Sequence, residues 1–270
     1  MGHIIRVAGF RIPAWLRHQL TSWNTGGEGI HSPYLFHLVR HIISDDNRYY
    51  CWADIEERRE AMLRAPKLIN VRDYGSRGQG KDEERLVCDI AKTSLESAKN
   101  GQLFFRIVNW LSHEKGAPLR IMELGTNLGI TTAYLAMPDS RNKVLTFEGS
   151  GALVELAELN WRKLGIKNIE AVQGNIDDTL NTYARVETDV VYMDANHRKE
   201  PTVRYFEALL PCMGEKSVVI IDDIHHSREM EEAWELLKNY SDVTTTMDFF
   251  DFGILFFDKH YLKKHYKLRI

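Results

Sequence analysis

The sequence predicts an α/β chain: a mostly parallel sheet covered on both faces by helices, finished by an antiparallel hairpin and preceded by a helical module. Three observations predict it. Five short apolar runs alternate with helical spacing from about Pro118 onward. Two further runs near the end are separated by only a few residues, too few for a crossover helix. The residues before the first run show helical spacing instead.

Leu119-Arg-Ile-Met-Glu-Leu124 reads as the first strand, followed by a glycine-containing turn and a helix from Ile130 to Met137. Lys143 to Phe147 reads as the second. Ala152 to Leu164 has helical spacing and stops at Gly165, a residue suited to the left-handed conformation that ends helices. Asn168 to Val172, Asp189 to Met193 and Ser217 to Ile221 are the next three strands, with helices at Thr202 to Leu210 and Arg228 to Asn239. Apolar strands joined through helices are those of a parallel sheet buried on both faces. Val243 to Asp248 and Gly253 to Phe257 should be antiparallel, because a parallel pairing needs a long connection. The total is seven strands. Upstream, residues 14–65 and 82–113 carry helical spacing, with loops at 25–29 and 73–80. The division expected is a helical module or lid over residues 1–113 and the sheet domain over 114–270.

The bulk numbers bound the function classes. With 270 residues, 44% hydrophobic, the chain can bury one sizeable core and a smaller appended module. A charged content of 27%, with both signs interspersed, is that of an ordinary globular protein. A net charge of −3 offers no whole-chain attraction to nucleic acid, so none is expected as a partner. Cys51, Cys88 and Cys212 lie far apart, which argues against a disulfide framework or a cysteine-built zinc site and for a reducing cytoplasm. No run approaches the roughly 18 apolar residues that span a bilayer. At the start, Arg6, Arg11 and Pro13 interrupt the apolar residues, so no signal peptide is read there. Ile4, Ile5, Phe10 and Trp15 are expected to pack on the main domain.

Open α/β sheets bind ligands beyond the carboxyl ends of their strands. The first such end reads Glu123-Leu-Gly-Thr-Asn-Leu-Gly129. Gly125 allows a sharp turn and close approach of a ligand to the backbone, with Thr126 and Asn127 at its tip. Gly129 lets the helix start sit close to the sheet. Glu148, followed by Gly149, ends the second strand and can accept hydrogen bonds from both ribose hydroxyls of an adenosine-type ligand. A nicotinamide dinucleotide would want G-x-G-x-x-G and helix N–H groups freed for its pyrophosphate. Here the spacing is G-x-x-x-G, and Glu123 just before it would repel a pyrophosphate while suiting an ammonium and a sulfonium. The residues therefore point to S-adenosyl-L-methionine over NAD.

With those motifs in place, residues 119–258 resemble a class I S-adenosylmethionine-dependent methyltransferase, a Rossmann-like fold whose parallel sheet ends in an antiparallel hairpin. Glu123 to Gly129 matches its first motif and Glu148 its ribose-binding acid. Gly174-Asn175-Ile176 matches the loop that flanks adenine, so the resemblance adds Asn175 and Ile176 to the donor contacts, and Asp194 with them. Taken whole, including Gly29-Ile-His-Ser-Pro33 and Asp222-Asp-Ile-His225, the chain is similar to a group of bacterial methyltransferases that brings no substrate with it.

Acceptor chemistry belongs to Asp194-Ala-Asn-His197 and Asp222-Asp-Ile-His-His226, at the ends of strands four and five. The arrangement resembles cation-dependent O-methyltransferases of the catechol and caffeoyl-coenzyme A types. There, an Asp after strand four and an Asp-Asn pair after strand five hold a magnesium-type ion. That resemblance implies a divalent cation on Asp194, Asp222 and Asp223, although Asp223 stands where Asn is expected. A metal-free alternative makes His197 the general base, with His225 and then His226 as weaker candidates for the same task. Both chemistries remain open at this stage, as does Asp223 acting with Ser227 as a helix cap. Arg72, Arg77, Lys81 and Arg85 surround a glycine-rich stretch that reads as an ordinary solvated loop, with a mobile lid as the sharper alternative. His31 has no assigned role, and Ser32-Pro33 reads as a helix start.

The function expected is methyl transfer from S-adenosyl-L-methionine to a small-molecule acceptor, on oxygen. A nucleic-acid methyltransferase would share the donor site, but would carry a basic face and an Asn/Asp-Pro-Pro-aromatic motif where this chain has Asp-Ala-Asn-His. A nucleotide-binding module without catalysis, or an NAD-linked oxidoreductase, is the third class. Oligomeric state is not legible.

Overall fold

A computed structural model describes residues 2–22, 27, 29–74 and 80–269, with residues 2–8 and 73 described by their backbone alone. In chain order its elements begin with α1 (Gly2–Thr21), α2 (Pro33–His37), a π-helical turn (Leu38–Ile43), α3 (Trp52–Leu63), β1 (Leu68–Asp73), β2 (Lys81–Leu86), α4 (Val87–Ser94) and α5 (Ala98–Lys115). Next come β3 (Arg120–Leu124), α6 (Ile130–Ala136), β4 (Lys143–Glu148), α7 (Gly151–Lys163), β5 (Ile169–Gln173) and α8 (Ile176–Tyr183). The last part holds β6 (Thr188–Met193), α9 (Lys199–Leu209), a 3-10 turn (Leu210–Cys212), β7 (Met213–Asp222), α10 (Arg228–Leu237), β8 (Thr245–Asp248), β9 (Phe252–Phe256) and β10 (Lys264–Lys267). The chain forms two compact units, a central one of residues 45–183 and a terminal one of residues 1–44 with 184–270.

In the central unit, β3, β4 and β5 lie side by side in that order, all parallel, with Glu123 opposite Thr146 and Glu148 opposite Gln173. Parallel pairing in register brings their carboxyl ends to one edge. Ser97 starts α5 by accepting the Asn100 N–H, and Gly116 ends it at a φ of +63°. One core groups Trp52, Ile55, Phe105, Tyr134 and Trp161. A second joins Ile69 and Val71 of β1 to Leu128, Leu153 and Leu156. Residues 82–86 are a strand here, where helical spacing was expected. The reason is pairing: β2 lies antiparallel on β1, placing Asp82 opposite Arg72 and Leu86 opposite Leu68. Cross-strand partners of that kind outweigh the helix preference of Glu and Lys.

In the terminal unit the spatial order is β10-β8-β9-β7-β6. β6 and β7 are parallel; β9 runs antiparallel to both β7 and β8. The seven expected strands therefore all form, and β10 adds an eighth, parallel to β8. α10 seats Trp234 so tightly on β9 that a Cβ at Gly253 would come 2.5 Å from the indole. On α1, Ala14 and His18 are buried, whereas Trp15 remains 47% exposed. That corrects the expectation that Trp15 packs: the helix turns its 14/18 face inward, and residue 15 lies on another. Phe10 is half-buried, and the expectation for Ile4 and Ile5 lies outside the described side chains. Among the described residues, no helix is long and apolar enough to cross a membrane.

Candidate functional site

The expected donor residues, Asp194 aside, belong to the central unit. β3 ends at Leu124, and the chain turns through Gly125 at φ +103°, Asn127 at φ +50° and Gly129 at φ +73°. Backbone N–H groups of Gly125 and Thr126 both donate to the Phe147 carbonyl, at 3.0 and 3.1 Å. The turn is thereby fastened to the neighbouring strand. Gly129 has no room for a side chain, since a Cβ would stand 2.6 Å from the Trp161 indole nitrogen. That indole N–H donates to the Gly129 carbonyl at 2.8 Å.

Glu123 is fully buried below this turn. Its Oε2 accepts the hydroxyls of Thr132, at 2.5 Å, and Thr146, at 2.6 Å. Thr146 in turn lies 2.5 Å from the Thr126 hydroxyl. A carboxyl is costly to bury unless hydrogen-bonded, and these threonines meet that need at Oε2. Sequence reasoning did not name Thr132 or Thr146; the available signal for Thr146 was its position opposite Glu123 in adjacent parallel strands.

Glu148 reaches across the turn. Its Oε2 accepts the Asn127 N–H and its Oε1 the Ser150 N–H, each at 2.9 Å. The structure thus brings Asn127 and Glu148 together. Beyond Glu148 come Gly149 and, across the sheet edge, Gly174, whose N–H donates to the Glu148 carbonyl at 2.9 Å. The Asn175 carbonyl accepts the N–H groups of Asp178 and Thr179, so Asn175 closes the first turn of α8 and Ile176 begins it. Tyr74, absent from the sequence-level candidates, lies against Gly149. The neighbouring Arg72 lies on β1, Lys81 and Arg85 lie on β2, and Arg77 falls outside the described residues.

The expected acceptor residues lie in the terminal unit. Asp194 follows β6; Asn196 and His197 then adopt left-handed conformations at φ +67° and +41°. Such conformations cost non-glycine residues about 1–2 kcal/mol each. They turn His197 back, placing Nε2 3.2 Å from Asp194 Oδ1 and Nδ1 3.8 Å from Asp223 Oδ2. Burial pushes the Asp194 carboxyl above its ordinary range, against the opposing pull of hydrogen bonds to His197 and Asp222.

Asp222 is the last residue of β7 and buried, whereas Asp223 leaves the strand at φ +54°. Its Oδ2 lies 3.5 Å from His226 Nδ1, and its Oδ1 lies 3.7 Å from the Arg11 guanidinium. Among the described residues, no three Asp, Glu, His or Cys side chains converge as a metal-ligand set. Ser227, not Asp223, caps α10, accepting the Met230 N–H at 3.2 Å. His225 is buried and takes another partner, Asp248, at 3.0 Å. Ser32 caps α2 ahead of Pro33, as the sequence indicated.

Comparison with known proteins follows the same lines. Residues 122–224 match the family model described as a methyltransferase domain. Cofactor-bound Rv0187 from MTB is similar over 76% of this chain and 90% of its own, at 18% identity and a TM-score of 0.59. An O-methyltransferase from Bacillus cereus in complex with SAH is similar over 82% of this chain and 94% of its own, at 17% identity and a TM-score of 0.56. The O-methyltransferase TomG from Streptomyces achromogenes, in complex with SAM, covers 61% of this chain with 82% of its own, at 23% identity and a TM-score of 0.53. At these identities the structural likeness establishes the fold. The family match covers residues 122–224, and the structural likeness gives them a Rossmann-like fold.

Proposed function

We propose that this chain transfers the methyl group of S-adenosyl-L-methionine to an oxygen of a small-molecule acceptor. One observation carries the reading: the Glu148 carboxylate stands at the end of β4, hydrogen-bonded to the glycine turn that follows β3. An adenosine ribose offers two hydroxyls to such a carboxylate. The relatives in complex with SAM and SAH support it.

In the transfer, the acceptor oxygen attacks the methyl carbon, the sulfur–methyl bond breaks, and its electron pair stays on sulfur. S-adenosylhomocysteine leaves. The acceptor proton passes to His197. With Nε2–H donating to Asp194, the basic nitrogen is Nδ1, and the carboxylate holds the ring in that tautomer. A second reading keeps a divalent cation, which would polarise the acceptor oxygen. The places of Asp194 and Asp222, each one residue past the paired Met193 and Ile221 of adjacent parallel strands, favour it, while Asp223 faces Arg11, His197 and His226. The compartment assumed is the cytoplasm, with Cys51, Cys88 and Cys212 as free thiols.

The test is thermal stabilisation. A ligand of the native state at 100 times its Kd adds about 2.7 kcal/mol. S-adenosylmethionine and S-adenosylhomocysteine should each raise the melting temperature, and NAD should not. Stabilisation by NAD alone would overturn the reading.

A further inference from the structure

Tyr74 is joined to the residues around Glu148 by three observations. The first is its mount. Ile69 and Val71, on the buried face of β1, pack with Leu128 of the glycine turn and with Leu153 and Leu156 of α7. The second is a polar link: the Arg72 N–H donates to Ser150 Oγ at 3.3 Å, and the Ser150 N–H donates to Glu148 Oε1 at 2.9 Å. The third is the seat of the ring itself. A Cβ on Gly149 would lie 2.3 Å from Tyr74 Cδ2 and 3.0 Å from Cε2, so only glycine fits beneath it. The Arg72 guanidinium lies 5.6 Å from the centroid of the same ring, and the ring is only half-buried.

The residues just past the ribose acid offer no flat surface of their own. Gly149, Gly151 and, across the edge, Gly174 have no side chains. A purine binds well where an aromatic face replaces the water on its π-surface. Tyr74 is the aromatic ring that the fold brings to that place.

We infer that Tyr74, just past β1, is part of the donor site, its ring on Gly149 forming the aromatic wall against which the purine of the donor stacks. The inference rests on the proposed reading of Glu148 as the ribose-binding acid.

Calorimetry with S-adenosylhomocysteine and 5′-methylthioadenosine, on the full chain and its Tyr74→Ala, Tyr74→Leu, Tyr74→Phe and Glu148→Ala variants, tests it. Loss of base stacking weakens binding by roughly 5- to 150-fold. Tyr74→Ala and Tyr74→Leu should both show such a loss, by the same factor for the two ligands, because both carry the purine. Tyr74→Phe should stay within about threefold of the parent. Leucine keeps an apolar side chain there without a π-face, so full affinity in Tyr74→Leu would overturn the inference even if the alanine variant folds poorly. A loss in Tyr74→Phe as large as in Tyr74→Ala would assign the contact to the hydroxyl and overturn stacking. A loss confined to S-adenosylhomocysteine would move Tyr74 to the methionine end and overturn it too. Unchanged binding in every Tyr74 variant, with Glu148→Ala defective, overturns the role of Tyr74 and leaves the donor reading standing. No binding of either ligand by the parent chain overturns both.

Discussion

The imidazole of His18 on α1 meets the Asp248 carboxylate at the end of β8, with Nε2 3.1 Å from Oδ1 and both side chains nearly inaccessible to solvent. The other carboxylate oxygen lies 3.0 Å from His225 Nε2, and Asp248 Oδ1 also accepts the Phe250 N–H at 2.9 Å. One carboxylate thus joins α1, β8 and the loop after β7. Removing it leaves buried donors without an acceptor. Asp248→Ala should cost about 3 kcal/mol, measured as a lower midpoint in urea. Asp248→Asn, which keeps one acceptor oxygen, should cost less. An unchanged midpoint in the alanine variant would show that the cluster does not hold α1.

The same group sets an acid limit. Burial works to raise the Asp248 pKa, but hydrogen bonds from His18, His225 and the Phe250 N–H outweigh it and hold the carboxyl well below the usual range. A carboxyl depressed on folding stabilises the native state above its unfolded pKa, about 3.9 for Asp, and that stability fades as pH falls from there. The stability difference between the parent and Asp248→Asn should therefore shrink as the pH is lowered from 5 to about 2. A difference that stays constant over that window would refute the assignment.

Glu148→Ala removes the proposed ribose acceptor. Two hydrogen bonds to a charged group, at about 1.5–3 kcal/mol each, translate into a loss of donor affinity of at least roughly 100-fold. The variant also forfeits two bonds from the Asn127 and Ser150 N–H groups, so its ligand-free melting temperature must be recorded alongside. Donor affinity equal to the parent's would remove the ribose assignment.

Asp194→Asn and His197→Ala address the chemical step. General-base assistance is worth about 100- to 10,000-fold in rate. Turnover in both variants should fall within that span, while S-adenosylhomocysteine binds to within a few fold of the parent. Activity of the parent should survive a chelator if His197 acts alone. Its abolition by chelator, with recovery on added magnesium, would establish the cation reading in its place.

Much of the fold was legible because burial on both faces forces continuous apolar strands, and Leu119–Leu124 through Ser217–Ile221 show them. The antiparallel ending followed from the short link between Asp248 and Gly253. Other elements had no such signal. β2 is Lys81-Asp-Glu-Glu-Arg-Leu86, whose composition favours helix until β1 supplies its partners. β10 gains its identity from Met247 and the rest of β8. At the sites, spacing proposed Glu148 and ranked His197 ahead of His225, without the partner that separates the two histidines. The distinction is tertiary: Asp248, 23 residues away, claims His225. Likewise Tyr74 became a candidate only when β1 carried it to Gly149.

Gly129 offers a test of how strictly the turn is built. Any L-residue there must hold φ near +73°, a conformation costing about 1–2 kcal/mol. Its Cβ would also meet Trp161 Nε1 at 2.6 Å and Ala157 Cβ at 2.8 Å, and overpacking of that kind costs about 1–3 kcal/mol. Gly129→Ala should therefore lower stability by about 2–5 kcal/mol. Trp161→Phe, which shortens the ring and removes the hydrogen bond to the Gly129 carbonyl, should be destabilising alone. Combined with Gly129→Ala it should cost less than the sum of the two, since the smaller ring relieves the clash. Strict additivity in that double-mutant cycle would show that conformation, not the contact with Trp161, is what demands glycine.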